Sequence, residues 1–257
     1  MIFVGERINT GFKDIKQAVL DKDPKPLQEW AKKQADAGAT YIDVNLGAVS
    51  TKAADMCWMI ETVQAVVDTP ISIDTNKPSI LAEAIKACKK PPLINSTTAA
   101  ESKLDQFLPI ALEYGASIIG LAIDDTGTPK SADKRVELAA TLFVKATEAG
   151  MPPERIFLDP IVMPLKFMQE QAMEILKAAK QFTLLSDPPP HIICGLSNIS
   201  NGTTHKKLIN RIFLVMAMAN GLDAAICDVL DPDLINAAKT AEIVMNREIY
   251  ADSYVRE

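Results

Sequence analysis

Short side chains that carry carboxylates, amides or hydroxyls follow most of the apolar runs in this sequence, where they could bind a flat polar molecule. They are Glu6, Asn9, Asp43, Asn45, Asp74, Asn95, Ser96, Asp159, Ser197, Asn198 and Asp228. A single Asp or Asn after a strand often caps the next helix or forms a turn, and for Asp74, which precedes Lys77-Pro78, that interpretation is equally good. The repetition after seven runs favours a binding surface for a polar heterocycle.

The elements between these side chains indicate how they are positioned. Eight apolar runs lie at residues 2–4, 40–44, 70–73, 92–94, 117–122, 155–158, 191–195 and 224–227. Helix-patterned stretches lie at residues 26–37, 53–67, 77–88, 103–114, 133–149, 167–185, 207–219 and 232–245. Strict alternation of this kind implies right-handed crossovers and a parallel sheet.

Eight units in 257 residues predict one domain over residues 1–257, a (β/α)8 TIM barrel. An open sheet should have a Gly-rich dinucleotide turn after its first strand, and Gly5-Glu6-Arg7-Ile8-Asn9 is not one. In a barrel the carboxyl ends of all eight strands converge on one face. The polar side chains are therefore expected to form a ring there.

Composition and charge exclude several classes of protein. Acidic residues outnumber basic ones by 33 to 27, whereas a nucleic-acid-binding protein usually has a basic excess. No apolar run is long enough to span a membrane, and the first residues do not form a signal peptide. The four cysteines are far apart, as expected for free thiols in a reducing compartment. These features predict a cytoplasmic protein with neither a nucleic-acid nor a membrane partner.

Several common catalytic sites are excluded as well. The two histidines, His191 and His205, cannot form an ordinary zinc site with scattered cysteines, so no bound metal is expected. His191 starts a predicted strand, at the end of the barrel away from the chemistry, which favours a structural role. Cys194 and Cys227 lie inside apolar runs and are interpreted as small buried hydrophobic residues. Residues 124–127, with the sequence Asp-Asp-Thr-Gly, are typical of a turn.

Taken in order, the strand-end motifs resemble those of a known family. They include Gly5-Glu6-Arg7-Ile8-Asn9, Asp43-Val44-Asn45, Ile73-Asp74-Thr75, Ile94-Asn95-Ser96-Thr97, Leu158-Asp159-Pro160 and Gly195-Leu196-Ser197-Asn198. The set resembles the pterin-binding methyltransferases over essentially the whole chain, and within them the methyltetrahydrofolate:corrinoid protein methyltransferases. The resemblance implies a pterin-binding barrel, a homodimer, and transfer of the N5-methyl group between methyltetrahydrofolate and the cob(I)amide cobalt of a separate corrinoid protein.

The resemblance also implies roles for individual residues. Asp74, Asn95 and Asp159 are expected to hydrogen-bond the pterin ring, since a carboxylate can accept two parallel bonds from a 2-aminopyrimidinone edge. Asn198 is expected near the N5 atom. The rest of the predicted substrate-binding set consists of Glu6, Asn9, Asn45, Ser96, Gly195, Ser197, Asn201, Lys206, Arg211 and Asp228. Independently of the resemblance, Lys206, Lys207 and Arg211 lie near the start of the seventh predicted helix, where many barrels bind anions. They could hold the benzoyl-glutamate tail, although a solvated helix start explains the two lysines equally well.

Methyl transfer from a tertiary amine requires a proton or a strong hydrogen bond on the leaving nitrogen. Asn198 is the predicted donor to N5, and Asp43 or Asp159, held protonated, could supply the proton. The chain has no D-x-H-x-x-G corrinoid signature, so the corrinoid is expected on a partner. That partner would be the iron–sulfur corrinoid protein of the acetyl-CoA pathway or the corrinoid carrier of a demethylase system, in which the methyl group flows toward tetrahydrofolate.

Two alternative functions remain open at this point. The first is a dihydropteroate synthase-like condensation on the same barrel, although the Asn-x-Thr-Pro-Asp-Ser-Phe motif of that enzyme is absent. The second is a non-catalytic folate-binding or scaffold subunit of a corrinoid system. Asn198 and the full ring of amides argue against the second alternative.

Overall fold

A closed barrel of eight parallel strands forms the centre of the molecule, in a computed structural model that describes residues 1–255. The strands are β1 Ile2–Asn9, β2 Tyr41–Asn45, β3 Ile71–Asp74, β4 Leu93–Thr98, β5 Ser117–Leu121, β6 Ile156–Asp159, β7 His191–Gly195 and β8 Ala224–Cys227. Each strand pairs with the next one, and β8 pairs with β1. The predicted TIM barrel is therefore confirmed.

Helices connect the strands on the outside of the barrel. They are α1 Lys13–Asp21, α2 Lys25–Asp36, α3 Ala53–Gln64, α4 Pro78–Ala84, α5 Glu101–Glu113, α6 Ala132–Glu148, α7 Gln171–Phe182, α8 Lys206–Ala219 and α9 Pro232–Val244. The sequence did not predict α1, a short helix whose buried side chains are Ile15, Ala18 and Val19. The helix predicted from residue 167 begins only at Gln171, because residues 160–170 form a long loop after β6.

Two apolar layers hold the barrel together. The larger layer lies between the strands and the helices, and the smaller one contains Val4, Leu93, Ile119, Phe157 and Ile193. These five residues belong to a cluster separate from the layer against the helices, and they therefore occupy the barrel interior. Side chains two positions further along the same strands point to the same face. The interior is thus packed below the carboxyl-end face, and polar side chains one layer higher can meet there.

At the amino end of the barrel, His191 has the structural position that its sequence context predicted. Its Nδ1 lies 2.6 Å from Asp223 Oδ2, and its ring stacks on Phe157 with centroids 4.5 Å apart. Cys194 and Cys227 are buried, as expected. Residues 124–127 form the expected turn, in which Asp124 Oδ1 accepts hydrogen bonds from Thr126. No helix within residues 1–255 is long and apolar enough to span a membrane.

Candidate functional site

The polar ring lies on the interior face of the strands, directly above the apolar layer. Glu6 is two positions beyond Val4, Asn95 two beyond Leu93, and Asp159 two beyond Phe157, so each points inward at the carboxyl end. Strand register places neighbours side by side, with Asn45 opposite Asp74 and Asp74 opposite Asn95. The strand register thus brings the strand ends together at one face, as the sequence predicted.

Three adjoining hollows open at this face. One, of about 520 Å³, is lined by Asn45, Asp74, Thr75, Asn76, Lys77, Ser96 and Leu121, among others. A second, of about 620 Å³, shares Asn45 with the first and contains Asn9. The third, of about 470 Å³, shares Asn9 and is lined by Glu6, Ser197, Asn201, Lys206, Asn210, Asp228 and Asp231, among others. Shared wall residues make them one continuous depression around the mouth of the barrel.

Asp43 lies beneath this depression rather than in the walls of these hollows, and Asn95, Asp159, Gly195 and Asn198 are not wall residues of the three hollows either. It is 3% exposed, and its Oδ1 accepts a hydrogen bond from Ser72 Oγ at 2.6 Å and another from Asn95 Nδ2 at 3.1 Å. Burial holds its pKa above the usual range. Because the Asn95 amide donates to Asp43, its carbonyl oxygen is the group left to accept a bond from a ligand.

Asp74 does not cap the next helix. Its Oδ2 accepts a hydrogen bond from Asn45 Nδ2, while α4 begins after Lys77 with no side-chain cap. Burial and the nearby charge of Asp43 hold the pKa of Asp74 well above its ordinary value. The strand-end carboxylate therefore belongs to the wall of the depression, and the capping alternative is wrong.

Asp159 is fixed by backbone donors. It is 7% exposed, and its Oδ1 accepts the Ile161 N–H at 2.7 Å. Burial raises its pKa to about 7, although hydrogen bonds from the Ile161 and Gly195 backbone partly oppose that effect. A carboxyl in this environment gains from donors that approach its remaining lone pairs.

Glu6, on β1, contacts the turn that follows β7. Its Oε2 accepts the Ser197 hydroxyl at 3.0 Å. Burial raises its pKa to about 7, and the charges of Asp228 and Asp43 act in the same direction. The mouth thus holds several carboxyls that bind protons near neutral pH, which is common at functional sites.

Asn198 lies in a 3₁₀ turn, Leu196–Ser200, that the sequence did not predict. Its Oδ1 is 3.5 Å from Asn201 Nδ2, and within residues 1–255 no hydrogen bond uses its own Nδ2. A Cβ added to Gly195 would lie 3.0 Å from that Nδ2. Gly195 therefore leaves room for an exposed amide that is free to donate to a ligand.

The basic residues separate into two groups. Lys206 and Lys207 are exposed and belong to the wall of the third hollow. Arg211 does not belong to that wall, since its Nη2 forms ion pairs with Asp231 at 2.8 Å and Asp233 at 2.9 Å. The Arg211 guanidinium is therefore held by Asp231, a wall residue of the third hollow, and does not itself line that hollow.

Sequence reasoning did not select several wall residues. Leu121 gives the first hollow an apolar wall, and Asn210 and Asp231 add polar groups to the third. Leu121 lies near the end of the apolar run predicted at residues 117–122, which was a signal for its position, whereas Asn210 and Asp231 lie in or beside helices. Within residues 1–255 no group of three or more His, Cys, Asp or Glu side chains could hold a metal ion.

The raised carboxyl pKa values predict how stability depends on pH. Between the unfolded values near pH 4 and the folded values near 7, the folded state binds protons that the unfolded state releases, so stability falls as pH rises. We expect the Tm of the ligand-free protein to be about 3 °C or more lower at pH 8 than at pH 5.5. Glu6→Gln should reduce this slope, and the exposed control Glu154→Gln should not. A Tm that rises over this interval in calorimetry would contradict the prediction.

Fold and site together define a pterin-binding barrel protein. Residues 5–228 match the family described as "Pterin binding enzyme", and the chain belongs to that family. It is 33% identical over 257 residues to the methylcorrinoid:tetrahydrofolate methyltransferase of Eubacterium limosum, an alignment that covers 99% of this chain and 94% of the relative.

Two further relatives extend the comparison. The chain is 27% identical over 240 residues to the methionine synthase of Mycobacterium tuberculosis, which covers 88% of this chain but 20% of that much longer protein. A solved structure of Yersinia pestis DHPS with a pterine-sulfa conjugate matches with a TM-score of 0.68 at 15% identity, covering 96% of this chain and 94% of that one. At that identity the likeness establishes the shared barrel fold alone.

Proposed function

We propose that this chain is a methyltransferase that moves the N5-methyl group between methyltetrahydrofolate and the cob(I)amide cobalt of a separate corrinoid protein. The observation that carries the proposal is the near full-length similarity to a methylcorrinoid:tetrahydrofolate methyltransferase. The inward ring of carboxylates and amides at the barrel mouth supports it independently. The proposal covers transfer in either direction.

Asp74, Asn95 and Asp159 are the proposed pterin-ring contacts. The two carboxyls offer acceptors for the ring amino and N–H groups, and the Asn95 carbonyl is held outward because its amide donates to Asp43. In this arrangement Asp43 positions Asn95. Because Asp43 is buried beneath the depression, it is a less direct proton source than a carboxyl that faces the ligand would be. Asn45 orients Asp74 by donating its amide N–H to Asp74 Oδ2.

Asn198 is the proposed donor to N5. Its Nδ2 is carried by the Leu196–Ser200 turn, and a hydrogen bond to N5 would strengthen as the methyl group leaves and charge develops on nitrogen. Asp159, with a pKa of about 7, is partly protonated before the folate binds, and the proton that it loses to the ring contacts is the proposed source of the proton that N5 needs. Glu6, Asn9, Ser96, Gly195, Ser197, Asn201 and Asp228 complete the proposed binding surface, with Lys206 near the benzoyl-glutamate tail. Arg211 acts there only if it leaves its acidic partners.

The corrinoid and its cobalt are proposed to arrive on another protein, either an iron–sulfur corrinoid protein or a demethylase carrier. The wide, open depression supports this, because the reacting nitrogen must be reached from outside. We place the reaction in the cytoplasm, in anaerobic one-carbon metabolism. Four cysteines without a disulfide among residues 1–255 are compatible with a reducing compartment.

We further propose a homodimer. The outer face of α8 exposes Leu208, Ile212, Val215 and Met216, whose spacing places them on one side of the helix. A two-fold contact would bury this apolar row against its own copy. Ile212→Lys should therefore halve the mass measured by light scattering, whereas Val244→Lys on α9, an equally apolar exposed position, should not. An unchanged mass for Ile212→Lys would exclude this face.

One assay separates the alternatives. The chain is mixed with methyltetrahydrofolate and a reduced corrinoid protein, and the cobalt absorbance is followed. Formation of methylcobalt supports the methyltransferase. Folate binding without transfer would support the scaffold, and a product from a pterin pyrophosphate and p-aminobenzoate would support the condensation.

A further inference from the structure

Arg135 is a fully buried arginine at the start of α6, and it lies outside the site described above. Its relative exposure is 0%. Its three hydrogen bonds go to neutral oxygens, with Nε donating to the Pro160 carbonyl at 2.8 Å, Nη1 to the Ser131 carbonyl at 3.3 Å and Nη2 to Gln171 Oε1 at 3.0 Å. Glu174 on α7 interacts with this charge electrostatically, but all three hydrogen bonds go to neutral groups. Burying a charge without a hydrogen-bonded counter-ion is costly, so its position calls for an explanation.

The partners of Arg135 lie at the two ends of the loop after β6. Pro160 is the first residue of that loop, and Gln171 is the first residue of α7. One planar guanidinium thus spans the loop that follows Asp159. The same loop contacts the turn that carries Asn198, since the Leu165 N–H donates to the Ile199 carbonyl at 2.9 Å.

The residue after Pro160 has a strained backbone. Ile161 has a φ of +64°, in the left-handed region that β-branched residues rarely adopt. Such a conformation persists only where the surroundings enforce it. In it, the Ile161 N–H points at Asp159 Oδ1 at 2.7 Å. Arg135 donates to the Pro160 carbonyl, which belongs to the same peptide unit as the Ile161 N–H. This hydrogen bond is therefore placed to hold the φ of Ile161 at its positive value.

We propose that Arg135 is a positioning residue for Asp159, acting through the Pro160 carbonyl and the Ile161 N–H. Without the guanidinium, Ile161 relaxes to a negative φ, its N–H turns away, and the Asp159 carboxyl keeps only the Gly195 backbone donor of the two that direct it. The inference rests on the proposed function, in that Asp159 is taken as a pterin contact.

The chain contains a matched control. Arg155, before β6 at the amino end of the barrel, also donates to backbone carbonyls, those of Ala111 at 3.0 Å and Ala116 at 2.6 Å. Arg135→Met and Arg155→Met each remove a partly or fully buried guanidinium from carbonyl partners. Only the first removal is expected to affect the site.

The test measures the Kd of tetrahydrofolate by calorimetry. We expect Arg135→Met to raise it about tenfold, the effect of one disturbed hydrogen bond to a charged group, and Arg155→Met to leave it unchanged. Adding Ile161→Gly to Arg135→Met should recover most of the lost affinity, because glycine adopts a φ of +64° without strain. A merely structural arginine would show no such rescue.

Other outcomes overturn the inference or its premise separately. If Arg135→Met does not fold, Arg135→Leu replaces it, because leucine also fills apolar space and has no group that could donate to the Pro160 carbonyl in place of Nε. A wild-type Kd in the folded variant, an equal loss in Arg155→Met, or no recovery with Ile161→Gly overturns the positioning role. Failure of the wild-type chain to bind tetrahydrofolate overturns the proposed function instead.

Discussion

Asn198→Ala is expected to lower the rate of methyl transfer by about 10²-fold or more, the scale for one preorganised donor that acts in the transition state. The Nδ2 of Asn198 is free to donate, because Gly195 beneath it has no side chain and Asn201 faces the other end of the amide. Removing it deprives N5 of its donor as the carbon–nitrogen bond breaks. The measurement is single-turnover formation of methylcobalt at saturating methyltetrahydrofolate.

Two further variants make this test specific. Asn198→Asp keeps the shape but replaces the donor with an acceptor, so it should lose at least as much activity. Asn220→Ala, which removes an amide bonded to the Met216 carbonyl at the far end of α8, should leave the rate unchanged. Since Asn198 is exposed, its loss should change the Tm little. Near-normal turnover by Asn198→Ala would remove it from the mechanism.

Asp159→Asn is expected to raise the Kd of tetrahydrofolate about 10- to 100-fold. The carboxylate accepts from the Ile161 backbone and offers its other lone pairs to the ring, whereas an asparagine must present an N–H toward one set of donors. A lost hydrogen bond to a charged group is worth about 1.5–3 kcal/mol, which corresponds to that range of affinity.

The matched control for Asp159→Asn is Asp125→Asn, an exposed position in the turn after β5. It should bind tetrahydrofolate like the wild type. Calorimetry in buffers with different ionisation enthalpies adds a second readout. Because the pKa of Asp159 is about 7 before binding, the wild type should release protons on binding near pH 6.5, and Asp159→Asn should release fewer. Equal affinity of the wild type and Asp159→Asn for tetrahydrofolate would exclude Asp159 as a ring contact.

The barrel was predictable because its evidence is local. Each strand is a short apolar run, covered on both faces, and all eight predicted runs overlap observed strands. Such alternation leaves few topologies. The helix α1 escaped prediction because its nine residues contain only three buried positions, which is too short a pattern to distinguish from a polar loop.

The site was only partly predictable. Membership of Asp74, Ser96 and Ser197 in the mouth followed from their place after a strand, since all strand ends share one face. Their mutual roles did not follow. The place of Asp43 beneath the depression and its hydrogen bond to Asn95 depend on contacts between strands, whose residues are 29 to 52 apart in sequence. These contacts decide which lone pairs are already occupied.

The sequence by itself therefore determined the barrel, the face that carries the chemistry and the kinds of groups on it. Hydrophobic periodicity and the position of a residue at a strand end depend only on residues that are close together in the chain. Only the tertiary structure decided which carboxyls are desolvated enough to bind protons near pH 7, that Arg211 faces Asp231 and Asp233, and that Arg135 supports the backbone beside Asp159. Burial and hydrogen-bond partners arise from residues that are distant in the chain, and a pKa or a side-chain direction depends on all of them at once.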